Sequence, residues 1–321
     1  MAENHAERDS VYGLAATPDF LEGGRCYAAR ASGLYVSADG GRSWRDAYRS
    51  LALKTPLTTA AVALAPQTGG EQTVFAGVLG GILRSADSGE RWTTATLPSP
   101  PPYVIAIAVS PDFEQDGLVF AATIEDGVFR SWDRGASWAA WNFGLLDLNV
   151  YALEISPHFG RDQMLYAGTE SGIFCSTNGG RAWREVPFPM EAAPVLSLAI
   201  SPVFSTDGVL FAGTESSGLF RSDDRGASWV AVRGWEGGAP VNQLLIAESG
   251  AGGWGIVALT GSSVRHSTDG GTRWANLPIT DLPDAAPTYI CAPQGLATGA
   301  SLLIGLEDGR VIVAETPDSQ S

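Results

Sequence analysis

The chain has 321 residues, 45% of them hydrophobic, and sets 35 acidic against 20 basic side chains for a formal charge of -15. That balance excludes a nucleic-acid partner, whose phosphates demand clustered Lys and Arg, and favours a cationic or neutral one. The three cysteines, Cys26, Cys175 and Cys291, are odd in number and far apart, each within or beside an apolar strand pattern, so buried free thiols are expected.

In chain order, Met1 to Ser10 holds no apolar run of the kind found in a secretory signal, and no later stretch approaches a membrane span. The expectation is a soluble, cytoplasmic protein without a membrane partner. From there the chain divides into units starting near residues 11, 58, 103, 150, 195, 241 and 287. The third unit is the clearest: apolar segments at Val104 to Val109, Leu118 to Thr123, Val128 to Ser131 and from Trp138 onward, with turns at Ser110-Pro111-Asp112-Phe113 and Glu125-Asp126-Gly127. Segments this short, bounded by Gly, Pro, Asp and Ser, have strand spacing, and four of them make an antiparallel meander.

The first segment alternates bulky and small residues. Leu14, Val62, Ile107, Leu153, Leu198 and Leu244 are large, and Gly13, Ala61, Ala106, Ala152 and Ser197 just before them are small. Sheets with one large and one small face stack like wedges around an axis, which buries both faces. The chain is therefore expected to be one all-β domain, residues 1–321, folded as a seven-bladed β-propeller of four-stranded blades; a six- or eight-bladed ring is the alternative count. The seventh unit lacks a fourth segment, which residues before Val11 could supply.

Six units carry the pattern Ser-x-Asp/Asn-x-Gly-x-x-Trp, with Asp39 and Trp44, Asp87 and Trp92, Asp133 and Trp138, Asn178 and Trp183, Asp224 and Trp229, and Asp269 and Trp274. Successive tryptophans are 48, 46, 45, 46 and 45 residues apart. The Asx side chain is expected to bond backbone amides two residues on and so close the hairpin, and the tryptophan to cap the blade. A motif repeated in every unit serves architecture first. Each box offers about one acidic position, too few for the oxygen cage that calcium requires, so no metal is assigned.

This pattern resembles the Asp-box, or bacterial neuraminidase repeat, found in sialidases, two-propeller xyloglucanases, the sortilin ectodomain and single-propeller photosystem II stability and assembly factors. The resemblance implies a propeller, with the single-propeller factors the nearest architecture, and leaves function open. The Arg-Ile-Pro opening of sialidases is absent. Xyloglucanases set two carboxylates across a cleft between propellers, and one propeller is present here. His5, His158 and His266 stand alone without metal-ligand spacing, and no phosphate loop appears, so no cofactor is expected.

Function is sought where the units differ, in the loops opposite the boxes. Those between second and third strands carry Glu125, Asp126, Glu170, Glu215, Glu307 and Asp308, and those between blades carry Tyr48, Arg49, Trp141, Phe143, Phe188, Arg233 and Trp235. Acids beside aromatic residues suit a recognition surface for a protein partner. The reading is a non-enzymatic scaffold or recognition module, with a carbohydrate-binding protein or glycoside hydrolase as the alternative. One residue breaks the inner-strand rule: Glu154 stands where other units have Ala15, Ala63, Ala108 and Ala199. It is expected either to pair with an arginine of the adjacent blade or to line the channel and bind a cation or work as an acid or base. Bases are otherwise arginines, Lys54 being the sole lysine, and Arg84, Arg130 and Arg221, just before a box serine, read as structural.

Overall fold

A computed structural model describes residues 9–316, apart from 67–69, 99–100, 193, 236–237, 251–252, 262, 278 and 280–283. The chain forms a seven-bladed β-propeller. Six blades are four-stranded antiparallel meanders in sequence order, spanning 11–46, 59–96, 103–140, 150–185, 195–231 and 241–276. The seventh has three strands among the described residues, Pro287–Cys291, Ser301–Leu306 and Val311–Glu315. Positions 1–8, offered from sequence as its fourth strand, lie outside the described residues, and Asp9 and Ser10 carry no strand.

The second strand of each blade is largely buried, and wholly so at Leu165–Thr169 and Leu210–Thr214, because both its faces meet neighbouring blades. A recurrent contact joins the blades. Glycine in this strand lets the first valine of the next inner strand approach so closely that a β-carbon at Gly77 would lie 2.6 Å from Val104 Cγ1, and one at Gly168 2.9 Å from Val195 Cγ1. Gly213 meets Val241 in the same way, and Gly305 meets Val11. The ring thus closes from the seventh blade to the first through the contact used elsewhere, assisted by a hydrogen bond from Ser10 Oγ to the Glu307 carbonyl (2.9 Å). Two inner-strand side chains add ties: Ser197 Oγ donates to the Val241 carbonyl (2.7 Å), and Gln243 bonds both backbone groups of Ile290 (2.7 and 2.8 Å).

The repeated hairpin differs in detail from its sequence reading. Asp39 Oδ1 accepts from the amides of Arg42 and Ser43, three and four residues on, while Ser37 Oγ donates to Asp39 Oδ1 and accepts from the Gly41 amide. Asp133 and Asp224 likewise accept from amides four residues on. Trp92 and Trp183 are buried beneath the preceding blade's outer edge, where their indole N–H groups reach the carbonyls of Ala47 and Trp141 (2.8 Å each). Trp44, Trp138, Trp229 and Trp274 are half-buried.

The Ser-Pro-x-Phe turns become single helical turns, Phe113–Asp116, Phe159–Asp162 and Phe204–Asp207, each tied by a serine hydroxyl to the closing aspartate. Their buried phenylalanines stack edge-on against Phe75, Phe120 and Tyr166 of the blade before. The arginines before the box serines work between elements. Arg130 lies 4.2 Å above the Trp141 ring, and Arg221 pairs with Asp223 while donating to the Gly270 carbonyl of the next blade. Cys26 and Cys175 are buried, Cys291 is half-buried, and all three are free.

Candidate recognition face and central channel

Strand order puts the loops between second and third strands and the connections between blades on one face, opposite the boxes. Hydrogen bonds join the two sets: the amides of Glu170, Glu215 and Glu307 donate to the carbonyls of Asn149, Pro194 and Ala286 (3.0–3.2 Å). The most built part is the connection 141–149. Asn142 accepts from the Val128 amide and donates to the Asp126 carbonyl (2.8 Å each). Asn149 accepts from the Glu125 amide (3.0 Å) and donates to Glu170 Oε2 (2.6 Å). Asp147 accepts from the amides of Asn149 and Ser171, and the Phe143 carbonyl from the Trp183 amide (2.8 Å). Gly144 sits at φ +79° against the Trp183 carbonyl, a position that admits no β-carbon.

This scaffold holds large apolar side chains outward. Phe143 is 80% exposed and Leu146 82%. Acids stand on the loops that hold this connection, at Asp126 against Asn142 and Glu170 against Asn149. The Tyr151 phenol is raised above its ordinary value first by burial and then by the negative charges of Glu170, Asp147 and Glu215, so these carboxylates converge near the channel mouth. Glu125, Asp126, Glu170 and Glu215 form no ion pair among the described residues.

The structure therefore brings together Glu125, Asp126, Phe143 and Glu170, with Glu215 on the adjoining blade. Arg233, Glu307 and Asp308 lie on the same face around the ring, Asp308 paired with Arg310. Two expected surface aromatics are instead internal. Tyr48 is 3% exposed, its hydroxyl bonded to Thr59 Oγ1 (3.0 Å), and Trp235 is 7% exposed, edge-on to Trp274 (4.8 Å) with Arg265 over its ring. Burial removes both from any partner. Phe188 is half-buried against Phe220 and Trp229, and Trp141 lies under Arg130. Sequence reasoning missed Leu146, although Asp147 and Asn149 beside it mark the loop that presents it.

At the centre the seven inner strands enclose a cavity of about 380 Å³. Every inner strand has a β-bulge near its loop-face end, and six of the bulged residues, Tyr12, Ala60, Ile105, Tyr151, Leu196 and Asn242, line the cavity. Bulges re-aim side chains. Among the described residues Glu154 is the one charged residue of the lining, and the arginine expected beside it is not there: no described basic residue borders the cavity, and the Glu154 side chain makes no described hydrogen bond or ion pair. Burial pushes its carboxyl up to about 8. No group of three or more His, Cys, Asp or Glu side chains suited to a metal occurs among the described residues.

Neither family models nor curated protein sequences match this chain. Among solved structures it is similar to the extracellular domain of BT4673 from B. thetaiotaomicron (TM-score 0.70, 16% identity, 97% of this chain and 39% of that one). It is also similar to YCF48 bound to D1 peptide (TM-score 0.67, 16% identity, 98% and 94%). A third likeness is to the GH74 xyloglucanase from Xanthomonas campestris (TM-score 0.71, 15% identity, 98% and 53%). The chain spans about two fifths of the BT4673 chain and about half of the xyloglucanase. At these identities the likeness establishes the propeller fold.

Proposed function

We propose that the loop face opposite the repeated hairpins is a recognition surface for a polypeptide partner carrying basic and apolar side chains. The observation behind this reading is the 141–149 connection, pinned by hydrogen bonds on both flanks while Phe143 and Leu146 stand in solvent. Exposed apolar groups on a rigid frame lose little entropy on docking, and the acids beside them select a cationic partner. The likeness to YCF48, solved with a D1 peptide bound, supports a polypeptide ligand. A glycan is the alternative, supported by the likeness to the xyloglucanase. Among the described residues the channel lining carries a single carboxyl, where glycoside hydrolysis uses a pair.

The test is selection from a displayed random-peptide library on the immobilised protein. The expected peptides pair Arg or Lys with apolar residues, and combined Phe143→Ser and Leu146→Ser weakens them ~30-fold, the loss of a hot spot of ~2 kcal/mol. Glu170→Gln should lower affinity mainly at low salt. Peptides indifferent to these changes, or none at all, would remove the proposal. A glycan that binds through the same residues would transfer the face to the alternative.

A further inference from the structure

The central cavity is separate from the loop-face patch and has its own chemistry. Six inner strands place alanine, leucine or cysteine (Ala15, Ala63, Ala108, Ala199, Leu245, Cys291) where the fourth blade places Glu154. The seven-fold architecture does not call for a carboxyl there. The walls combine aliphatic side chains, from Leu14 and Val62 round to Leu198 and Leu244, with the polar Ser197, Asn242 and Gln243, and the other titratable groups of the lining are Tyr12, Tyr151, Tyr289 and Cys291. None of these is a base. Tyr289 stands close enough that Glu154 adds to the raising of its phenol, after burial and Cys291. With no base beside it, a half-buried carboxyl on this wall favours its protonated form while the cavity holds no cation, and its ionised form gains from a cation brought in from outside.

We infer that the central cavity is a binding site for a small organic cation with an aliphatic body, its ammonium head held by Glu154 and its body lying on the leucine and valine wall. The volume, about 380 Å³, falls in the range of small-molecule pockets. Tyr12 and Tyr151, turned inward by their bulges, stand at the loop-face end of the inner strands, where ring faces can attract an entering cation. Glu154 lies three residues further along its strand, ~10 Å deeper at the usual rise per residue. Aliphatic side chains alone would admit a neutral apolar molecule equally well. The single carboxyl selects the charged one.

Butylammonium chloride is the probe, with butanol as its uncharged counterpart, followed by saturation-transfer NMR and by calorimetry. Butylammonium should receive saturation from the protein, to an extent that levels off as its concentration rises. Its affinity should fall by about tenfold or more in Glu154→Gln, while butanol, bound weakly, should not distinguish the two proteins. Because ionisation of Glu154 accompanies binding, the wild-type affinity should tighten about tenfold per pH unit from pH 6 and level off above about 8, with a proton released to buffer. That measurement needs no variant, so a Glu154→Gln protein that failed to fold would leave it intact. Absence of saturation transfer, equal affinity in wild type and variant, or an affinity flat with pH would each overturn the inference. Displacement of butylammonium by an equal concentration of potassium chloride would also overturn it, by making the site one for inorganic ions.

Discussion

At the scale of single residues, two kinds of carboxyl in this ring pull stability in opposite directions with pH. Asp39 is held well below the usual carboxylate range, first by the Ser43 hydroxyl, then by the Ser43 amide and the Ser37 hydroxyl; Asp224 is held likewise, first by Ser228. A depressed folded-state value means that the charged form favours folding above the unfolded value of ~3.9, and that this contribution disappears as pH falls below it. Urea midpoints measured from pH 4 down to pH 2 should therefore decline less steeply in Asp39→Asn than in wild type; parallel declines would refute the assignment. Glu154 behaves in reverse. Its folded-state value of about 8 lies above the unfolded one, so the native state retains a proton that the unfolded chain gives up, and stability should fall as pH rises toward 8. The slope is at most ~1.4 kcal/mol per unit. Glu154→Gln should remove that fall and be the more stable protein at pH 8, which the same urea titration would reveal. Tryptophan position matters as well. Trp92→Ala, at a buried site with two carbonyl partners for its indole, should cost ~3 to 5 kcal/mol, and Trp138→Ala, half-buried, measurably less.

Elements show where sequence information ends. The hairpin was legible because its demands fall on residue types: a hydroxyl, a short acceptor and a glycine that tolerates positive φ, seen at Gly41 and Gly180. Its bond pattern was not, since reach of two or four residues depends on how Ser37 shares the turn with Asp39. The Ser-Pro-x-Phe segments read as turns and fold as helical turns because each phenylalanine finds an aromatic ring on the previous blade, a contact across about 38 residues. Phe159→Ala should accordingly cost ~3 to 5 kcal/mol in chemical unfolding, far more than loss of an exposed turn residue. The bulges left no signature at all: their positions hold Tyr12, Ala60, Ile105, Tyr151, Leu196, Asn242 and Thr288, which share no chemistry, because a bulge is set by backbone register. Tyr48 and Trp235 were misplaced for a related reason. Whether a loop aromatic turns in or out depends on groups such as Thr59 and Trp274 that only the folded ring brings near.

For the whole molecule, the joint between last and first blades governs integrity, and it rests on Gly305 receiving Val11. Gly305→Ala should destabilise the ring by ~1 to 3 kcal/mol through overpacking, and Val11→Ala in the same chain should restore part of the loss by clearing the clash. A double-mutant cycle in urea measures this, and simple additivity would show that the contact does not hold the ring shut. The repeat and the bulky-small alternation of the first strands made the architecture readable, whereas the apolar tip of the recognition face escaped notice because Leu145 and Leu146 look like a strand fragment until the asparagines on either side are seen to anchor a loop. The lone lysine carries a last consequence. Lys54 is exposed on the connection between the first and second blades, on the same face as Phe143. A lysine-specific protease would therefore have a single cleavage point in the chain, and a cut there would divide it between blades without severing any strand, leaving two fragments held together by the packing of the ring and by hydrogen bonds such as those of Ser10 with Glu307 and Trp92 with Ala47.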